Sequence, residues 1–356
     1  MKVFISELHY DKNPKLYKKC ILGFLSVLSI PYGIITSVRN FMYDKGLIRT
    51  FKPDVLTISV GNLTTGGVGK TPFTAELANF YTERGKKVGI LSRGYCGSLQ
   101  NKEVNVISDG EKIYFSAKES GDEPFWLSQN CKGSLVFTCS SRVKAAKLAV
   151  EKYGCEILIA DDSFQHRKLG RDINLMLVNE GTKFGNEKLL PAGPLRESLK
   201  EIKRATAIIV TNKSYDDENA LRYCEELEKT YKKTVFLCKM VPDICTNINN
   251  NDDILPKMVS IVAFCAIGQP EDFFNFIKKE YNLLDKKVFP DHHSYTQKDV
   301  ENIIDFAEQN GVTNIITTEK DGVKIKDIMS SLRTGIKIYA IKLKALADME
   351  KITDVR

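Results

Sequence analysis

The stretch Val60-Gly61-Asn62-Leu63-Thr64-Thr65-Gly66-Gly67-Val68-Gly69-Lys70-Thr71-Pro72 constrains this chain more than any other. A short apolar run precedes it and a helical pattern follows, so a glycine-rich turn joins a strand to a helix. Glycines let successive backbone N–H groups approach phosphate oxygens, and the helix N-terminus favours their charge. Lys70 is placed to reach the β- and γ-phosphates, and the Thr71 hydroxyl to bind Mg²⁺. The expected nucleotide-binding residues are therefore Thr65, Gly66, Gly67, Val68, Gly69, Lys70 and Thr71, with ATP and Mg²⁺ as cofactors. The full pattern G-x-x-x-x-G-K-[ST] asks for Gly at position 64, where this chain has Thr64. Pro72 is tolerated because the first helical turn has no N–H partner to lose. A turn that merely closes a strand–helix unit is the alternative. The intact G-G-x-G-K-T in its strand–helix setting argues against it.

A P-loop enzyme also needs a carboxylate for the metal at the end of a neighbouring strand. Ile157-Leu158-Ile159-Ala160-Asp161-Asp162 supplies two, Asp161 and Asp162, after four apolar residues. The pair could instead cap the following turn. Asp161 ends the run and is the preferred contact, and Glu123 is the other candidate carboxylate. The polar cluster Ser163-Phe164-Gln165-His166-Arg167 comes next, at the mouth of such a site.

Around these motifs the chain alternates between two periodicities. Residues 55–60, 87–92, 156–160, 173–179 and 205–212 read as strands, and 72–84 and 142–153 as helices closed by Gly85 and Gly154. Such alternation implies a parallel sheet covered on both faces. An Asn/Asp-rich stretch, 246–253, is a candidate linker or long loop. Beyond it, strands at 260–266, 287–289, 314–318 and 337–341 and helices at 269–279 and 297–310 resume the pattern.

Charge is uneven along the 356 residues: the first 52 carry nine Lys/Arg and three Asp/Glu, while the rest is nearly neutral. A nucleic-acid binder would carry its charge on the folded body, so none is expected as a partner. Hydrophobic residues at 43% and charged residues at 27% exclude a disordered, collagen-like or coiled-coil chain. Nine cysteines without a C-x-x-C pair suggest reduced thiols in a cytosolic compartment, not zinc or disulfides.

Residues 20–38 contain no charge, and Lys18, Lys19 and Arg39 flank them. The length is borderline for a membrane span, and Pro31, Gly33 and several Ser and Thr residues interrupt it. Gly23, Ser26, Gly33 and Ser37 fall on one helical side, while Ile21, Leu22, Leu25, Leu28 and Ile35 lie elsewhere. An amphipathic helix on an anionic leaflet fits best. A true span, a signal peptide and a helix packed on its own domain are the alternatives. The expected fold class is thus α/β, a P-loop NTPase-type, mostly parallel sheet flanked by helices. A smaller C-terminal α/β unit and an N-terminal amphipathic helix complete it. The expected divisions are a membrane-associating segment 1–52, a P-loop core 53–245 and a unit 246–356 contributing to the active-site cleft.

Read in order, the motifs resemble one family. Gly61-Asn62 with Gly66–Pro72 looks like the P-loop of the lipid A 4′-kinases (tetraacyldisaccharide 4′-kinases). Ser92-Arg93-Gly94-Tyr95, Gly121-Asp122-Glu123-Pro124, Asp161–Arg167, Leu190-Pro191-Ala192-Gly193-Pro194-Leu195-Arg196-Glu197, Phe289-Pro290-Asp291-His292 and Thr317-Thr318-Glu319-Lys320-Asp321 match its further motifs. The family often has Gly where this chain has Ser163, a departure expected to alter backbone freedom but not chemistry. The resemblance implies transfer of the ATP γ-phosphoryl group to the 4′-hydroxyl of an acylated glucosamine disaccharide 1-phosphate. The product would be lipid IVA, an outer-membrane lipid precursor. It also implies a site at the cytoplasmic face of the inner membrane, and no protein partner is inferable.

The resemblance further carries the role of catalytic base onto Asp122, with His292 beside it as an orienting partner and Lys70 as the third catalytic residue. Asp122 could instead cap the helix that begins before Pro124-Phe125-Trp126. Two other functions compete. One is a membrane-associated switch ATPase, whose loop carries a Lys where this chain has Thr65. The other is a kinase for a soluble small molecule, which would leave the N-terminal helix an exposed apolar liability.

Overall fold

The computed structural model describes residues 8–11, 14–95, 97–213, 217–250, 252–268, 270–290, 293–332 and 334–355. The chain forms two compact units, Met1–Lys239 with Ala345–Arg356, and Met240–Lys344. The expected boundary at 245/246 lies six residues later than the observed one, and residues 345–356 return to the first unit. The long strand Thr234–Asn247 explains the first difference, because it runs through the point where composition turns polar.

The first unit opens with helix α1 (Leu16–Asp44). Its strands are β1 (Leu56–Asn62), β2 (Val88–Ser92), β3 (Asn105–Ser108), β4 (Leu135–Thr138), β5 (Ile157–Asp161), β6 (Ile173–Asn179), β7 (Ala207–Asn212) and the first half of β8 (Thr234–Asn247). They lie in the order β8-β7-β6-β1-β5-β2-β4-β3. All neighbours are parallel except β3 and β4. Every residue of β2, β4, β5, β6 and β7 is buried, which is why all of these but the short β4 are legible as mostly apolar runs. The crossovers include α2 (Lys70–Thr82), α3 (Ala117–Ser120), α4 (Asp122–Asn130), α5 (Arg142–Glu151) and α6 (Asp217–Tyr231). Strands β3 and β4, with four residues each, the long β8 and helix α6 have no counterpart in the expected pattern.

The second unit repeats the scheme. Strands β9 (Ser260–Cys265), β10 (Asn282–Val288), β11 (Asn314–Thr318) and β12 (Lys337–Leu346) lie parallel in the order β10-β9-β11-β12. Helices α7 (Pro270–Glu280), α8 (Gln297–Gln309) and α9 (Glu319–Ser331) connect them, and α10 (Met349–Thr353) follows β12. The stretch expected as a linker or long loop begins inside β8 and continues as a loop of the second unit, closed by a Thr246–Ile254 bridge. Asn247 Nδ2 donates to Asp253 at 3.1 Å and the Asn249 N–H to the Asn247 side chain at 2.9 Å. The Asn/Asp composition serves local backbone satisfaction.

Helix α1 extends beyond the uncharged run at both ends, and Pro31 lies inside it. It is long and apolar enough to cross a membrane by length and composition. Ser26, Ser29, Tyr32, Gly33, Arg39, Asn40 and Asp44 face the first unit, whereas Gly23 and Ser37 of the expected small-residue side are exposed. Ser29 Oγ donates to the Leu189 carbonyl at 3.0 Å, Tyr32 Oη to the Arg196 carbonyl at 2.8 Å, and Lys188 Nζ to Ser26 Oγ at 3.2 Å. A Cβ on Gly33 would come within 2.9 Å of Leu189. Farther along, Arg39 pairs with Glu197, Asn40 Nδ2 donates to the same carboxylate at 3.1 Å, and Asp44 accepts from Arg167 and Lys203. Phe24, Val27, Ile30, Ile34, Ile35, Val38 and Phe41 are each more than half exposed.

Candidate active site

Strand β1 runs straight into the glycine-rich turn, and α2 begins at Lys70. Gly69 caps α2 in the left-handed region at φ 83°, and Gly66 sits at φ 122°, backbone that side-chain-bearing residues rarely adopt. Gly61 is required for a different reason: a Cβ there would stand 2.6 Å from the Phe164 backbone nitrogen. That close approach brings the residues after β5 against the end of β1.

Side chains and backbone from other segments brace the loop. The Thr65 N–H donates to the Pro194 carbonyl at 2.8 Å and the Arg196 N–H to the Leu63 carbonyl at 2.7 Å. Tyr10 Oη donates to the Thr65 carbonyl at 2.7 Å. From β7, Thr211 Oγ1 donates to the Val68 carbonyl at 2.9 Å and Lys213 Nζ to the Gly67 carbonyl at 2.8 Å.

Lys70 is largely buried, with its ammonium 3.2 Å from Asn62 Oδ1 and 3.4 Å from Asp162 Oδ1. Arg196 donates to both Asp162 oxygens at 3.0 Å. Burial alone would raise the Asp162 carboxyl, but the Lys70 and Arg196 charges outweigh it and hold it at about 2. Asp162 is thus ionised and already paired. Its φ of 45° aims it away from the strand, a conformation Asp tolerates better than most residues.

Asp161 behaves oppositely. It is fully buried at the end of β5, and Thr74 Oγ1 of α2 donates to it at 3.2 Å. Burial, together with the negative charges of Glu123 and Asp162, pushes its carboxyl well above the ordinary range, against the pull of Lys70 and Arg142. Arg142, at the start of α5, holds the Asp161 carbonyl at 3.2 Å. A carboxylate crowded by two others is a place where a cation would relieve repulsion.

Thr71, the second residue of α2, is buried. Among the described residues no three His, Cys, Asp or Glu side chains form a complete ligand set. Mg²⁺ in phosphate-transfer sites takes one or two carboxylates and completes its shell with phosphate and water, so a hydroxyl and a strand-end carboxylate fit it.

The turn after β5 carries Ser163, whose hydroxyl donates to the Asp161 carbonyl at 3.1 Å. Ser163 has an ordinary negative φ, so no glycine is required there. Gln165 Nε2 donates to the Asn62 carbonyl at 2.8 Å. His166 is driven down to about 4 by burial and by the charges of Arg142 and Arg171, so it is neutral near pH 7.

Asp122 and Glu123 occupy the first turn of α4. The cap position belongs to Gly121 at φ 93°, where a Cβ would meet the Tyr95 carbonyl at 2.5 Å. The sequence alternative of Asp122 as cap is not what the helix uses, and Ser92–Tyr95 packs on this turn. His292 and Asp291 lie outside the described residues.

No local sequence pattern gives Asn62, Thr74, Arg142, Thr211, Lys213 or Arg196 an individual role. Arg196 and Asn62 stand inside quoted motifs, a signal that was available. The others bond to backbone or to one carboxylate oxygen from distant segments, and no local spacing announces that.

A parallel sheet with a glycine-rich turn between β1 and α2, a lysine at the start of α2 paired with Asp162 after the neighbouring strand, and a buried threonine next to it in sequence define a P-loop nucleotide-binding protein. The chain belongs to the tetraacyldisaccharide-1-P 4′-kinase (LpxK) family, whose pattern matches residues 21–355. It is 37% identical over 318 residues to the tetraacyldisaccharide 4′-kinase of Desulfotalea psychrophila, covering 88% of this chain and 90% of that one. The corresponding kinase of Halothermothrix orenii is 31% identical, with 94% and 92% covered. The crystal structure of LpxK from Aquifex aeolicus in complex with ATP superposes with a TM-score of 0.72 at 33% identity, covering 94% of this chain and 98% of that one.

Proposed function

We propose that this protein transfers the γ-phosphoryl group of ATP to the 4′-hydroxyl of a tetraacyldisaccharide 1-phosphate, giving lipid IVA. The observation that carries the reading is Lys70, buried at the start of α2 between Asn62 and the ionised Asp162. A preorganised cation at that place stabilises charge on the transferring phosphoryl group without reorganisation. The glycine-rich backbone from Thr65 to Thr71 holds the polyphosphate, and Arg196 keeps Asp162 from drifting onto the phosphates. Thr71 and Asp161 would hold Mg²⁺, with Asp162 and Glu123 close enough to tune it electrostatically. When bound, the metal supplies positive charge that neutralises the β- and γ-oxygens.

Asp122 is proposed as the general base. The sugar hydroxyl is a weak nucleophile, and a positioned carboxylate accepts its proton as the new P–O bond forms and the bond to ADP breaks. Gly121, not Asp122, holds the cap position, and Asp122 lies half-buried in the first turn of α4. The family resemblance pairs it with His292. If the two act as a unit, Asp122→Asn and His292→Ala each cost nearly as much as the double variant. Multiplicative losses contradict the pair.

Helix α1 is proposed to lie in the cytoplasmic leaflet of the inner membrane. Its polar side is hydrogen-bonded to the folded unit from Ser26 to Asp44, and polar partners of that kind do not fit a hydrocarbon core. Its apolar side is exposed along the whole helix, as an interfacial helix requires.

The test measures ATP consumption with the acylated disaccharide, with lipid vesicles lacking it, and with neither. Turnover that requires the disaccharide and labels it supports the kinase. Turnover stimulated equally by bare vesicles supports the membrane switch ATPase instead.

A further inference from the structure

Every carbonyl of the glycine-rich turn from Thr64 to Gly69 has a protein donor. The Thr64 carbonyl accepts from Asn62 Nδ2 at 2.7 Å, Thr65 from Tyr10 Oη at 2.7 Å and Gly66 from the Val68 N–H at 3.2 Å. Gly67 accepts from Lys213 Nζ at 2.8 Å, Val68 from Thr211 Oγ1 at 2.9 Å and Gly69 from the Phe73 N–H at 3.3 Å. The amides behave differently. Among the described residues, the N–H groups of Gly66, Gly67 and Gly69 donate to no protein acceptor. In a trans peptide the carbonyl and the following N–H point to opposite sides. A side chain that holds a carbonyl therefore also aims the next amide. Tyr10 on the Thr65 carbonyl aims the Gly66 N–H, and Thr211 on the Val68 carbonyl aims the Gly69 N–H. Successive amides turned to one side make an anion-binding concavity, and a carbonyl swung to that side would repel a phosphate.

These side chains come from two places. Thr211 belongs to β7 and Lys213 follows that strand. Tyr10 comes from outside the sheet, from the residues ahead of α1. Its seat is a fitted one. Leu8 and His9 are buried, His9 Nε2 donates to the Pro191 carbonyl at 3.0 Å, and the His9 carbonyl accepts from the Asn186 N–H at 3.0 Å. A Cβ on Gly185, whose φ is 62°, would stand 2.9 Å from the His9 carbonyl oxygen and 3.1 Å from a Tyr10 ring carbon. Only glycine lets the segment lie there. Burial pushes the Tyr10 phenol up to about 12, so it keeps its proton and remains a donor near neutral pH.

We propose that Tyr10 is a positioning residue for phosphoryl transfer: its hydroxyl holds the Thr65–Gly66 peptide so that the Gly66 N–H faces the nucleotide phosphates. The segment ahead of α1 is then part of the phosphate site as well as an extension of the membrane helix, a role that rests on the ATP-dependent reading above. Tyr10 acts through the peptide, preorganising a donor that would otherwise have to turn when phosphate arrives.

The test uses the full chain carrying Tyr10→Phe, which keeps the ring beside Gly185 and removes only the donor. The readings are kcat and KM for ATP and for the acylated disaccharide, the dissociation constant of inorganic tripolyphosphate by calorimetry, and the melting temperature. The value of kcat/KM for ATP should fall, and the tripolyphosphate constant rise, by a common factor of about five to ten, the scale of one hydrogen bond. KM for the disaccharide and the melting temperature should stay close to those of wild type. A residue that only props up the segment would do the reverse, lowering the melting temperature and leaving the phosphate-side constants alone. ATP and tripolyphosphate constants within about two-fold of wild type overturn the positioning role, and so does an equal rise in KM for both substrates.

Tyr10→p-aminophenylalanine returns an N–H donor to the same place, so it separates loss of the donor from general damage in the Phe variant. Recovery of most of the wild-type tripolyphosphate affinity supports the role, and no recovery overturns it. A wild-type chain that bound neither ATP nor tripolyphosphate would instead sink the ATP-dependent function, and this role with it.

Discussion

Helices α1 and α2 both follow from apolar periodicity, yet they bury opposite sides. Helix α2 hides Phe73, Leu77 and Ala78 together with the polar Thr71 and Thr74 that serve the site. Helix α1, 29 residues long, buries Leu22, Thr36 and Asn40 and leaves its large apolar side chains outside. The core helix is held by what water rejects. The N-terminal helix is held by Ser29, Tyr32, Arg39 and Asn40, through hydrogen bonds and an ion pair to residues 189–197. An exposed apolar face of this size marks an interaction site for a membrane or another protein. The same segment, 189–197, braces the phosphate-binding turn through Pro194 and Arg196, so both helices lean on one loop.

The largest expected effect separates the two helices by function. Lys70→Ala should lower kcat by about 10²–10³, the usual cost of one preorganised electrostatic contact. Its melting temperature and vesicle binding should stay close to those of wild type. Near-normal turnover would remove the P-loop assignment.

Next comes the shared loop. The Glu197 side chain is 1% exposed and accepts from Arg39, Asn40 and Arg204. Glu197→Ala would strand buried cationic charge at Arg204, and breaking a buried pair costs about 3–5 kcal/mol. Urea unfolding measures it. A loss below about 1 kcal/mol, the range of surface pairs, would mean the network is ornamental.

A smaller effect tests the outward face. Ile30→Asp and Ile34→Asp should each weaken sedimentation with anionic vesicles by about ten-fold or more, since a buried Ile side chain is worth about 1.5–3 kcal/mol. Turnover on detergent-dispersed acceptor should hardly move. Reversing the charge of Lys15, Lys19 or Lys45 should matter less, about 1 kcal/mol each, and less again in high salt. Binding indifferent to all of these would leave α1 without its apolar partner.

The smallest effect is a pH dependence in the core. His166 titrates at about 4 in the folded chain against an ordinary 6.5, chiefly through burial. A depressed value means the unfolded chain takes up the proton first. The stability tied to neutral His166 is present above pH 6.5 and is lost as pH falls towards 4. Wild type should therefore lose stability more steeply than His166→Asn over that window. Parallel slopes would show that His166 is not buried as described.

Much of this architecture could be read from residue order alone. The turn 60–72 and the strand ending in Asp161-Asp162 are local signals, and each landed on its expected element. The apolar runs at β1, β5, β6 and β7 gave the parallel core, because strands buried on both faces lose their alternation. Strands β3 and β4 escaped notice because four residues hold too little pattern to separate from loop. The polar stretch 246–253 looked like a linker because Asn and Asp mark turns and loops alike. Site legibility followed the same divide. Lys70, Thr71 and the paired aspartates stood in one local motif each. The Arg196–Asp162 pair spans 34 positions and the Thr211–Val68 bond 143, and such partnerships exist only after folding. The small-residue side of α1 is visible in sequence, but only Ser26 and Gly33 of it meet the unit while Gly23 and Ser37 stay exposed; the docking depends on Glu197 and Leu189, far along the chain.

The most direct measurement is the position of the new phosphate. The protein is incubated with ATP, Mg²⁺ and tetraacyldisaccharide 1-phosphate, and the lipid product is examined by ³¹P NMR with proton correlation. The account predicts a second phosphomonoester whose phosphorus couples to the proton at the 4′ carbon, formed by wild type and absent with Lys70→Ala. ATP consumed with no new lipid phosphorus, or a phosphate attached at another hydroxyl, would contradict it.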